Sequence, residues 1–161
     1  MALSQLSDVL WTERRLLELL LFKLEEEQLV LTSGRTRWLA HATREVETVL
    51  DQIREAELGR ATEADAVARE LDLEEGVGLR TLAEHAPAPW DGLLHAHRDA
   101  FVQLTTEISQ LADGNRELLA MSHRATQETL MSLQQTVQTY DGQGHSAGEA
   151  DRSAQLIDQS L

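Results

Sequence analysis

The stretch LWTERRLLELLLFKLEEEQLVL, residues 10–31, decides the fold. Leu3, Leu10, Leu17, Leu24, Leu31 and Trp38 recur every seven residues through and beyond it. Such a repeat is the seam of a long helix packed on another helix. Leu and Glu are strong helix formers, and no Pro or Gly occurs before Gly34. Between Leu16 and Phe22 the apolar set widens to Leu16, Leu17, Leu19, Leu20, Leu21 and Phe22. That breadth exceeds a two-helix seam and predicts contact with more than one partner helix.

The pattern runs on through Leu39, Ala42, Val46, Val49, Leu50, Ile53 and Ala56, with Gly59 as a stop. Ser7 or Asp8 is the expected N-cap. The expected first helix therefore spans about residues 8–58, with Ser33-Gly34 as a kink site at its middle. Thr62-Glu-Ala-Asp65 reads as a capping box opening a short helix through Val67, Ala68 and Leu71. Gly76 and Gly78 interrupt the chain, and Leu79 to His85 form another turn or two. Ala86-Pro-Ala-Pro89 is extended, and Pro89 opens a second long helix over about 89–139.

The expected fold is thus all-α: an elongated antiparallel hairpin or coiled coil of two long helices, with short helical segments between. Residues 1–140 form its single domain, and 141–161, rich in Gly, Ser, Asp and Gln, a flexible tail. Antiparallel pairing of the two helices sets Gly34 opposite Gly114 and Trp11 opposite Val137.

Composition narrows the function. Formal net charge is −14, which argues against a nucleic-acid partner, since phosphates need a basic face. There is no cysteine, so disulfides and thiolate metal sites are excluded. The first eight residues lack the basic and apolar regions of a signal peptide, and Glu18 and Lys23 break the longest apolar run. A cytoplasmic setting without stable membrane insertion is expected. No phosphate-loop, dinucleotide or nucleophile-elbow motif occurs, and no Glu-x-x-His or His-Glu-x-x-His. His41 and Glu45 share a face, but one pair is not a site. Neither enzymatic activity, nor a metal, nor a cofactor is expected. Glu13 and Glu27 fall in a heptad row with Leu6 and Leu20, where they lie at an edge or pair with arginines.

The second long helix carries the candidate site. Its seam runs from Trp90 through Leu94, His97, Phe101, Leu104, Ile108 and Leu111 to Asn115 and Leu118, then turns polar at Ser122 and Thr129. A second apolar row at Leu119, Leu130, Leu133 and Val137 replaces it. An amphipathic helix from a partner could lie in that groove. The candidate contact residues are Leu118, Leu119, Ser122, Ala125, Thr126, Leu130, Leu133 and Val137. Tyr140 is a lone aromatic and a candidate interface anchor.

Several blocks carry a family resemblance. They are Trp11-Thr-Glu-Arg14, Leu20 to Gln28, Gly34-Arg-Thr-Arg-Trp38, Ala42-Thr-Arg-Glu-Val46, Pro89-Trp90, His97-Arg98, Asn115-Arg-Glu-Leu-Leu119 and Thr139-Tyr-Asp-Gly142. The chain resembles a FlgN-type flagellar export chaperone of the actinobacterial kind over about residues 8–144. The resemblance implies a cytosolic chaperone for the hook–filament junction proteins FlgK and FlgL. It would bind their C-terminal helical segments, prevent premature association and deliver them to the export gate. It also implies that the client surface lies within Asn115 to Tyr140, and that Tyr140 docks on the gate protein FlhA. The alternative is a structural coiled-coil protein that self-associates through the Leu16–Phe22 face, and a homodimer is open under either reading.

Overall fold

The computed structural model describes the backbone of residues 1–142 and the side chains of residues 1–139. The described residues hold four α-helices and no strand: α1 (Ala2–Ser33), α2 (Leu39–Glu70), α3 (Leu79–His85) and α4 (Trp90–Gly142). The all-α class and the long helices agree with the sequence pattern. The chain divides into two units, Met1–Leu118 and Leu119–Leu161, of which the second is described to residue 142.

The expected continuous helix over 8–58 is corrected. It is two helices, and the kink site is a full reversal. Thr32 and Ser33 return their hydroxyls to carbonyls of their own last turn, those of Gln28 and Val30. Gly34 then adopts φ 70°, the left-handed conformation that glycine enters without a Cβ penalty, and its N–H donates to the Leu31 carbonyl. A 3-10 turn at Thr36–Trp38 leads into α2. The two helices then run antiparallel. Lys23 Nζ bonds Glu45 Oε2 at 3.0 Å, Glu13 meets Arg60 at 2.8 Å, and the Ala2 N–H donates to Glu70.

Other boundaries move with that correction. Helix α1 begins at Ala2 rather than at a Ser7 or Asp8 cap. Gly59 and the expected capping box lie inside α2, where Thr62 donates to the Leu58 carbonyl and Asp65 Oδ1 accepts the Gly76 N–H at 2.9 Å. The latter bond fastens the Leu71–Gly78 loop, in which Gly76 has φ 81°. The short helix over Leu79–His85 and the second long helix stand as the sequence predicts.

The pairing expected between the long helices is also overturned. The Trp11 ring meets His97 at 4.8 Å, and Asn115 reaches Leu24 and Glu27. Within the first unit, α4 therefore runs parallel to α1 and antiparallel to α2, giving three helices in up-down-up order. Gly34 and Gly114 mark no close approach, since a Cβ at either would meet nothing within 4 Å.

Two apolar clusters fill this bundle. One joins Leu3, Leu6 and Leu10 to Val67, Leu82 and Leu94, so α3 closes that end. The other joins Leu17, Leu20 and Leu24 to Val46, Val49 and Ile53, with Leu104 and Ile108 packed against it. The buried positions of α1 step by three and four residues from Leu3 to Glu27, which is the heptad seam read from the sequence.

Candidate functional site

Helix α4 from Leu119 to Gly142 forms the described part of the second unit. It contains no Gly or Pro before Gly142, and Leu, Met, Ala, Gln and Glu favour the helix. Every side chain from Leu119 to Thr139 is exposed except half-buried Val137. Leu119, Leu130 and Leu133 are 37%, 39% and 43% exposed. These are large apolar groups for a helix to present to water.

Helical spacing sorts the candidate residues. Leu119, Ser122, Thr126, Leu130, Leu133 and Val137 follow one another at three or four residues and so share one face. Ala125 falls to the side of that face. Leu118 is half-buried and is the last residue of the first unit. Thr126 donates its hydroxyl to the Ser122 carbonyl at 3.0 Å, so its polar atom is satisfied within the helix and its methyl remains to face a partner. Thr129 and Thr136 do the same toward Ala125 and Ser132. At Thr126 the face is therefore less polar than its composition. Tyr140 is helical, and its side chain lies outside the described residues, as do residues 143–161 of the expected tail.

Sequence reading missed Met121 and Met131, exposed at 59% and 60% on other sides of the helix. Their thioether chains adapt to irregular partners, and only composition could have flagged them.

The polar residues Glu13, Glu27, His97 and Asn115 at seam positions are buried in the first unit. Asn115, 1% exposed, donates through Nδ2 to the Leu24 carbonyl at 2.9 Å and to Glu27 Oε1 at 3.2 Å. Thr43 donates to the other Glu27 oxygen at 3.2 Å. Asn115 is therefore committed to the bundle and is not part of an open groove. Glu13 pairs with Arg60 at 2.8 Å, although the bond is poorly aligned. Burial raises the Glu13 carboxyl above its ordinary value, and Arg60 only partly opposes this. His97, 2% exposed, packs its ring against Trp11 and Phe101. Burial lowers its pKa, and the nearby Arg14 lowers it further. Arg14 lies over the Trp11 ring at 4.9 Å and bridges Glu18 at 3.6 Å, so this pair is packing within α1.

Among the described residues no three His, Asp or Glu side chains converge as metal ligands, and no helix is long and apolar enough to cross a membrane. Neither a curated protein nor a solved structure matches the chain. Residues 1–148 match the profile described as FlgN protein, which spans the bundle and the exposed face alike. The chain belongs to the FlgN family of flagellar export chaperones.

Proposed function

We propose that this protein is a cytosolic export chaperone for the hook–filament junction proteins FlgK and FlgL. It binds their C-terminal helical segments on the face from Leu119 to Val137. The carrying observation is the row Leu119, Leu130 and Leu133, large apolar side chains left in water on a helix of a chaperone family. A client helix laid along this face removes that surface from water, at about 25 cal/mol per Å² less the cost of ordering. Covering the same face on the client prevents premature association. Tyr140, three residues beyond Val137, then docks the loaded chaperone on the gate protein FlhA.

Amide exchange with a FlgK or FlgL C-terminal segment tests the siting. Protection is expected across residues 119–139, and protection confined to residues 10–30 would reject it. Leu130→Ala is expected to weaken client binding by roughly tenfold, equivalent to about 1.4 kcal/mol. Tyr140→Ala is expected to leave client binding intact and to lose FlhA capture. Equal loss of both would assign Tyr140 to the client face.

A further inference from the structure

The reversal between α1 and α2 carries the opposite charge to the rest of the chain. From Gln28 to Arg44 there are three arginines, one histidine and no carboxylate. The chain has 14 basic and 28 acidic residues, so this stretch holds +3 and the remainder −17. Arg35, Arg37, Trp38, His41 and Arg44 are all exposed. None of the three arginines is ion-paired among the described residues.

These side chains form one patch. The Arg37 guanidinium lies over the Trp38 ring at 4.9 Å, and the His41 ring is 5.7 Å from it. His41 and Arg44, three residues apart, share a face of α2. Arg35 and Arg37 line a shallow depression at the turn with Gly34 and Thr36. Trp38 is 46% exposed, so apolar surface lies among the cations. The surroundings select the partner. Glu25, Glu26, Glu45 and Glu47 stand six or more residues behind the facing ends of α1 and α2, about 9 Å or more. Lys23 holds Glu26 and Glu45. A short segment at the turn is about a screening length of 8 Å from these carboxylates. A flat polyanion, such as a bilayer surface, would set its charges against them as well.

We infer that the α1–α2 reversal is a docking site for a short acidic segment of another protein, with two or more carboxylates around an apolar residue. The carboxylates meet Arg35, Arg37 and Arg44, whose guanidinium groups can each take one through two parallel N–H bonds. The apolar side chain covers the exposed part of the Trp38 ring. Exposed ion pairs are individually weak and screened by salt, so the contact is reversible and salt-sensitive. It lies in the first unit and does not depend on the client face of the second.

Titration of the full chain with the end-capped peptide Glu-Asp-Leu-Glu-Asp, followed by amide chemical shifts, tests the inference. Shifts are expected at residues 34–44, and binding should weaken as salt rises from about 0.05 to about 0.5 M. The neutral peptide Gln-Asn-Leu-Gln-Asn should leave those amides unmoved. Arg35→Ala/Arg37→Ala should weaken binding by about tenfold. Arg54→Ala/Arg80→Ala removes the same charge from exposed pairs with Asp51 and Glu84 and should bind as wild type does. All four positions are exposed, so thermal melts of the variants should match wild type and exclude misfolding. Unmoved amides at residues 34–44, equal binding of the neutral peptide, or equal loss in both variants would each overturn it. So would a wild type that ignores the peptide yet sediments with phosphatidylglycerol vesicles through Arg35 and Arg37, since the tip would then be a lipid site.

Discussion

Asn115→Ala isolates the layer that holds α4 on α1. The side chain is 1% exposed and makes two bonds through one nitrogen, at 2.9 Å to the Leu24 carbonyl and at 3.2 Å to Glu27. A neutral bond contributes about 1 kcal/mol, and one to a carboxylate about 1.5–3 kcal/mol. Glu27 is 6% exposed and would keep only Thr43 as a donor. Against this, Asn115 Oδ1 is buried without a partner, so truncation returns about 1 kcal/mol. The small cavity left behind costs a similar amount. The net expectation is a loss of about 2.5–4 kcal/mol, or about 5–15 °C in Tm. Urea unfolding followed by far-UV circular dichroism should show a lower midpoint with an unchanged slope. Asn115→Asp should be worse at neutral pH, where two carboxylates would share one buried site, and should recover as acid returns a proton to the pair. An alanine variant within about 0.5 kcal/mol of wild type would show that Asn115 pins nothing.

Two further variants test the other buried polar groups. Arg60→Ala leaves Glu13 buried and unpaired; the expected loss at pH 7 is about 2 kcal/mol, below the usual range for buried pairs because Arg60 is 39% exposed. Glu13 has a raised folded-state pKa, so its folded form holds a proton more readily than the unfolded chain, and the loss should recede as pH falls; a pH-independent loss in urea titrations would contradict this. His97 has a lowered pKa, so below the ordinary 6.5 the unfolded chain binds more protons and stability drops as pH falls through that value. His97→Phe should abolish that slope and stabilise the fold by about 1 kcal/mol at pH 7, since Nδ1 is buried without a partner; an unchanged slope in the variant would place the titration elsewhere.

The inward seam of α1 was legible because its period is unbroken from Leu3 to Glu27. The second long helix was legible because Pro89 sits at its start and the heptad seam holds from Trp90 to Asn115 across Gly92. The reversal at Gly34 was not, because the spacing continues in phase from Leu31 to Trp38 across the turn. Periodicity cannot distinguish a bent helix from two antiparallel ones when register survives the turn. The signal that could have helped is local: Thr32 and Ser33 before a glycine supply the end of a helix with its own polar partners. Two long helices make a hairpin, but three make a bundle, and the pairing of Trp11 with Val137 fell with that count. The exposed row after Leu118 was legible from where leucines leave the seam. Asn115 was misread as part of that opening because a polar residue at a seam position looks the same whether water or a buried carboxylate meets it.

The placement of the buried polar residues follows from what the leucines cannot do. Leu3, Leu10, Leu17 and Leu24 are identical at every seventh position, so a slip of α4 or α2 by one heptad would exchange leucine for leucine at little cost. Glu13 and Glu27 interrupt the companion row of Leu6 and Leu20. Glu13 is matched by Arg60, and Glu27 by Thr43 and Asn115. Slipping α4 by seven residues would carry Asn115 away from Glu27 and bring Ile108 or Ser122 to the buried carboxylate. A polar residue at a seam position sets register at the expense of stability in helical coils. The double variant Glu27→Leu/Asn115→Leu replaces the layer as a unit and is expected to be as stable as wild type or more stable by about 1–4 kcal/mol. Its bundle should lose the single register. A pair of cysteines introduced at Trp11 and His97, which face each other in the native register, should then cross-link less completely than in the wild-type background. Equal cross-linking in both would show that the leucines alone fix the register.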